Sequence, residues 1–135
     1  MIKEILAHET LSLRQRVLRE GLSVDLCRFD GDELEDTFHF GYFLEDQIKG
    51  IITCVMSDQN QIRGMAVDPG KQGKGIGSAL LKKVIEALRE KKQKSVWCNA
   101  RTHAIPFYKK HSFFIEGDRF IIKGVGEHFK MLHNL

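Results

Sequence analysis

Residues 62–81, Ile-Arg-Gly-Met-Ala-Val-Asp-Pro-Gly-Lys-Gln-Gly-Lys-Gly-Ile-Gly-Ser-Ala-Leu-Leu, decide how this chain is read. An apolar strand ends at Val67, a turn follows at Asp68-Pro69-Gly70, and a glycine-rich run opens directly into an amphipathic helix. That order leaves several unpaired backbone N–H groups at the positive end of a helix dipole, which is a ready site for a phosphate or pyrophosphate. Glycines at 73, 75 and 77 put no side chain between such an anion and the backbone. The plainer alternative is a tight strand-to-helix turn with no ligand.

Spacing separates the phosphate loops that compete here. The nucleotide-hydrolase loop needs Lys and then Ser or Thr after its last glycine, whereas Gly75 is followed by Ile76-Gly77. The dinucleotide fingerprint G-x-G-x-x-G fails as well, because these glycines recur two apart. What remains, Gln72-x-x-Gly75-x-Gly77, resembles the acyl-CoA pyrophosphate loop of the GNAT superfamily of N-acetyltransferases. Ala104-Ile105-Pro106-Phe107-Tyr108-Lys109-Lys110-His111-Ser112-Phe113 resembles that family's C-terminal signature, a short helix that carries a Tyr and ends in Gly-Phe. Here Ser112 stands in the glycine's place. Further stretches, Leu13 to Arg19, Phe38-His39-Phe40, Arg63 to Ala66, Trp97 to Arg101 and Gly124 to His128, are similar to a subset of small bacterial GNAT proteins. Members of that subset generally have no assigned acceptor.

The resemblance implies acetyl-CoA as co-substrate, bound by Gln72, Gly73, Lys74, Gly75, Ile76, Gly77 and Ser78 at the loop. It also implies Met65, Ala66 and Val67 along the thioester, with Phe107 and Tyr108 on the facing helix. Arg101 occupies a position where many members place an Asn against the pantetheine arm, and Asn99 is the neighbouring candidate. The implied reaction is direct acyl transfer in a ternary complex to a primary amine, on a small molecule or exposed on a protein. Tyr108 would protonate the leaving thiolate, and the backbone N–H of Val67 would receive the charge on the carbonyl oxygen. His39, Arg63 and His128 are acceptor-side candidates, His39 because it alternates with Phe38 and Phe40 and so faces away from those rings. Structural histidines, and salt bridges made by Arg16, Arg19 and Arg63, are the plainer readings. A catalytically silent acyl-CoA-binding or sensing module is the alternative function, and Tyr108 is the residue that weighs against it.

Composition fits this picture. The 135 residues suit one domain spanning 1–135, with 42% hydrophobic and 29% charged residues. No run of about 18 apolar residues is present to span a membrane, and the start Met1-Ile2-Lys3-Glu4 has no apolar leader, so a cytoplasmic location is expected. Three widely spaced cysteines, 27, 54 and 98, read as reduced buried thiols, with neither a disulfide framework nor a metal site expected. The net charge of +3 is too small to imply nucleic acid. Residues 30–46 hold seven acids and no Lys or Arg, while 71–110 hold eleven Lys and Arg against Glu86 and Glu90. The basic half suits CoA phosphates; the acidic edge is solvated surface or a lure for a cationic amine.

Periodicity predicts strands at 1–6, 37–44, 48–57, 61–67, 95–99, 113–121 and 128–133, and helices at 10–20, 75–92 and around Tyr108. The middle pair of strands forms a hairpin about Glu45-Asp46-Gln47. The expected fold is α/β, a GNAT-type mixed and mostly antiparallel twisted sheet of six to seven strands with helices on both faces. The last strand could pair across a homodimer.

Overall fold

Along strand β3 (Gln47–Val55), Ile52 and Cys54 point to one face and Ile51 and Thr53 to the other, and all four are buried. Alternation of this kind means that both faces of the sheet are covered. The computed structural model, which describes residues 1–135, shows how. Strand β1 (Ile2–Ile5) pairs with β2 (Phe38–Leu44), β2 with β3, and β3 with β4 (Asn60–Val67), all antiparallel. Helix α1 (Leu11–Val17), entered through a 3₁₀ turn at Ala7–Thr10, lies over β3 and β4 on one face. Helix α2 (Ile76–Glu90) covers the other, seating Ile76, Leu80, Leu81, Val84, Ile85 and Leu88 against Phe38, Phe40, Ile52, Cys54 and Ile62. Burial of a full side chain of this type contributes about 1.5–3 kcal/mol, so the α2 face is the main source of cohesion.

The second half of the sheet is built around strand β5 (Ser95–Arg101), which is antiparallel to the long final strand, here β8 (Gly126–Asn134). Helix α3 (Ile105–Lys110) follows β5 with Pro106 in its first turn, where the missing N–H costs nothing. Strands β6 (Phe114–Ile115) and β7 (Phe120–Ile122) both pair with β8. The sheet thus has eight strands, one or two more than expected, because the segment 113–121 breaks at Gly117, whose φ is +85°. Helix α1 is shorter than 10–20, and β5 and β8 run further than expected. The hairpin turn uses Glu45 and Asp46, both at positive φ, the geometry that matches strand twist in a two-residue loop. Ser112 also sits at positive φ (+68°) after α3, doing what glycine does elsewhere, and its carbonyl accepts from His133 Nδ1 at 3.0 Å. All three cysteines are free and buried. No helix is long and apolar enough to cross a membrane.

Two features open the sheet. Strands β4 and β5 run parallel but pair only at Asn60↔Val96 and Gln61↔Trp97. Buried Asn60 pins that junction, accepting from Ser57 N–H and donating to Gln93 Oε1 and the Ser95 carbonyl. Above it β4 bulges: Thr53 pairs with Arg63 and Ile51 with Ala66, so two steps along β3 answer three along β4. Gly64, at φ +63°, absorbs the extra residue. The bulge reverses the alternation, so Ile62, Met65 and Val67 lie on the α2 face and Ala66 on the α1 face. Beyond Gln61 and Trp97 the two strands form a fork.

Candidate active site

The loop at the head of the fork is fixed from behind. Asp68 accepts from the Gly70 N–H at 3.0 Å and from Arg16 Nη1 at 3.0 Å, and Gln72 Nε2 returns to the Val67 carbonyl at 3.1 Å. Arg16 and that hydrogen bond hold the Asp68 carboxyl below its ordinary range. Gly75 caps α2 from the left-handed region at φ +83°, and the N–H groups of Gly73, Gly75, Ile76 and Gly77 find no acceptor in the fold. A Cβ on Gly73 or Gly75 would meet nothing within 4 Å. The space beside these two glycines is open, so no neighbouring group bars an anion from the unpaired donors there. Gly77 differs: its Cβ would come 3.6 Å from the Phe107 ring and 3.8 Å from Val67, so loop, α3 and β4 converge there.

Tyr108 hangs from α3 into the α2-side core, packed edge-on against Phe107 at 5.2 Å and Phe113 at 5.3 Å. Its hydroxyl lies against the Cys98 thiol on β5. Burial first, then the Cys98 neighbour, pushes the Tyr108 pKa well above the ordinary value. Burial likewise lifts Cys98 to about 12, so this thiol stays protonated and is no nucleophile at neutral pH. Tyr108 is then a donor throughout the physiological range.

The opposite face of the fork has a different character. Val96, Cys98 and Ala100 face α2, so Asn99 and Arg101 face away from it, and Arg101 pairs in register with His128 on β8. His128 Nδ1 donates to the Gly126 carbonyl at 2.9 Å, so in the neutral ring the lone pair sits on Nε2. Arg63 points to the same side, donating through Nη1 to the Asp30 carbonyl at 3.1 Å.

The whole arrangement has known counterparts. Residues 26–133 match the acetyltransferase (GNAT) domain. The chain belongs to the GNAT acetyltransferase family. It is 33% identical to the uncharacterized N-acetyltransferase YitI of Bacillus subtilis over 99% of this chain and 95% of that protein. The crystal structure of Escherichia coli ElaA superposes with a TM-score of 0.83 at 19% identity, covering 98% of each chain. A GNAT acetyltransferase from Elizabethkingia anophelis, solved with acetyl-CoA bound, superposes at 0.76 with 18% identity, covering 100% of this chain and 97% of that one.

Within the GNAT frame, the structure gathers Met65, Ala66, Val67, the loop 72–78, Phe107 and Tyr108 about one end of the fork, with Lys74 exposed at the loop tip. Asn99 and Arg101 are exposed on its other side. Ser78 Oγ is instead 2.9 Å from His111 Nε2, and burial together with Lys82 and Lys110 lowers the His111 pKa. His39 is set apart from this group. It is buried on the α1 face, and its bonds close a chain: Arg14 Nη2 donates to Thr53 Oγ1 (2.9 Å), the Thr53 hydroxyl to His39 Nδ1 (2.7 Å), and His39 Nε2 to the Asp32 carbonyl (3.2 Å). Burial lowers its pKa, and both ring nitrogens are spent within the fold.

Sequence reasoning missed the centre of that network. Arg14, fully buried, donates to both Asp32 oxygens (2.6 and 2.9 Å) and to the Cys27 carbonyl (3.0 Å). Its Nε has no hydrogen-bond partner, and the guanidinium carbon lies 4.0 Å from the Phe29 ring centre. An Arg on the apolar face of a helix, between Leu13 and Val17, was the available signal. Two surface cavities, of about 590 and 550 Å³, lie along α2 and hold none of the residues named for catalysis or acetyl-CoA. The candidate site is a cleft between strands and not a closed chamber.

Proposed function

We propose that this chain transfers an acetyl group from acetyl-CoA to a primary amine by direct attack in a ternary complex. The observation that carries the proposal is the coincidence of unpaired loop N–H groups, a strand fork and a buried tyrosine hydroxyl at one end of the sheet. Residues 72–78 would hold the pyrophosphate of acetyl-CoA, and Met65–Val67 would lie along its acyl arm. Acetyl-CoA supplies an acyl group activated as a thioester. The chain's own contribution is positional and electrostatic. The Val67 N–H, on a strand edge with no partner in β5, donates where negative charge develops; loss of such a donor typically costs ~10²–10³ in rate. Tyr108 holds its proton against the sulfur and delivers it as that sulfur becomes basic. Its raised pKa keeps the proton on Tyr108 in the resting site, and a leaving thiolate desolvated there would be made more basic by the same burial that lifts Cys98, so that it can draw the proton.

An alkylamine of pKa about 10.4 must lose a proton before attack. His128 Nε2, on the face it shares with its register partner Arg101, would accept it. The test is thiol release from acetyl-CoA against an amine panel, comparing wild type with Tyr108→Phe. The variant should bind acetyl-CoA as wild type does and lose ~10²-fold or more in kcat. Equal turnover by the variant removes Tyr108 from the chemistry, and no turnover by wild type with binding intact supports a silent acyl-CoA-binding module.

A further inference from the structure

Three guanidinium groups converge on one aromatic ring. Arg14, Arg19 and Arg63 lie 4.0, 5.3 and 5.2 Å from the centre of Phe29. Groups gathered about one ring in this way lie within about one Debye length of each other, about 10 Å at 0.1 M salt, so their mutual repulsion is only partly screened. Only Asp32 balances the group, and Arg14 takes both its oxygens. Glu33 and Asp25 lie by Arg28, and Asp68 by Arg16 and Lys49. Arg19 and Arg63 have no carboxylate partner at all. Of the five N–H donors of Arg63, one is used, on the Asp30 carbonyl.

Position gives this excess charge a meaning. Arg63 is two residues past the last β4–β5 pair, level with Asn99, on the face away from α2. On that face β5 and β8 contribute Asn99, Arg101, His128 and Lys130, and no acid; Arg101 is unpaired, while Lys130 is met by Glu116. The distance from Arg63 to the Met65–Val67 backbone is two to four residues, about 7–13 Å of strand. An amine and a carboxylate within one small molecule, with the reach of an arginine side chain, span that distance.

We infer that the acceptor is a small amine that also carries a carboxylate, bound through Arg63 and Arg19 with its amino group directed into the fork. This rests on the acetyl-transfer proposal. The probes are the standard free amino acids and the matching amino acid amides, which keep the amine and remove the negative charge. Free acids should be preferred by tenfold or more in kcat/KM, as expected for one charge-assisted hydrogen bond. Arg19→Gln should erase most of that preference by raising KM for the free acid, with the amide rate and the KM for acetyl-CoA unchanged. Arg63→Gln should likewise remove the preference for the free acid. Because Arg63 also holds the Asp30 carbonyl, Arg19→Gln decides the matter if Arg63→Gln does not fold. Equal use of acids and amides, absence of any free-acid substrate, or a preference untouched in Arg19→Gln overturns the inference. Failure of the wild type to bind acetyl-CoA is a separate result, which overturns the transfer proposal beneath it.

Discussion

Replacing Asp32 with Asn changes one atom and removes one charge at the most constrained point of the α1 face. Asp32 accepts from Arg14 Nη1 at 2.6 Å, from Arg14 Nη2 at 2.9 Å and from the Phe29 N–H at 2.9 Å. Asn offers a single acceptor oxygen and turns an NH₂ toward the other guanidinium donor. Arg14 is fully buried and has no second carboxylate, so the variant leaves a buried, uncompensated cation. Breaking a buried pair in this way costs about 3–5 kcal/mol, a large part of the ~5–15 kcal/mol that keeps a domain folded. At about 3–4 °C per kcal/mol for a chain of this size, Tm should fall by about 10–20 °C. Thermal unfolding followed by far-UV circular dichroism, with urea titration for the free energy, measures it. The double variant Arg14→Met with Asp32→Leu carries no stranded charge and should recover much of the loss. A drop below about 1 kcal/mol for Asp32→Asn would refute the claim that this pair anchors the loop carrying Phe29 and Asp30.

Other expectations follow from the same contacts. Gly64→Ala places a Cβ 2.6 Å from the Phe29 ring at a φ of +63°, so strain and overlap together should lower stability by about 2–4 kcal/mol, read from the urea midpoint. Acid should destabilise the fold in two stages. His39 has a folded pKa below its ordinary 6.5, so its contribution is complete above 6.5 and is lost as pH falls below that, when the unfolded chain takes up a proton the fold refuses. For Asp32, burial alone would raise the pKa, but the Arg14 and Phe29 hydrogen bonds and the Arg14 charge outweigh it, and its contribution is lost as pH falls below 3.8. Urea midpoints measured from pH 8 to 3 should therefore be level above 7, and His39→Gln should abolish the first decline.

The parts of the site legible in the sequence are those whose chemistry is local. Gln72-Gly73-Lys74-Gly75-Ile76-Gly77 could be read because a strand, a loop and a helix start each leave their own residue pattern, and α2 matched its spacing because burial follows the helical period. The three cysteines were legible as buried free thiols for the same reason of composition. Long-range pairings were not legible. Arg14 and Asp32 are eighteen positions apart, and nothing near either residue announces the other. The β4 bulge depends on Gly64 finding Phe29 beneath it, and the break at Gly117 shows only once β6 and β7 are each laid against β8. His39 shows the limit of alternation: the period placed it opposite Phe38 and Phe40, but only the fold shows that this side is filled by Thr53 and the Asp32 carbonyl.

Calorimetric titration of acetyl-CoA into the wild-type protein and into Gly75→Glu tests the central claim most directly. Gly75 lies at φ +83° with open space in front, so the variant bears left-handed strain of about 1–2 kcal/mol and no clash, and it should fold. Its carboxylate would sit where the loop N–H groups converge. The account predicts micromolar binding by wild type that is lost in the folded variant. A folded wild-type protein that gives no binding heat, or a variant that binds as well, would contradict it.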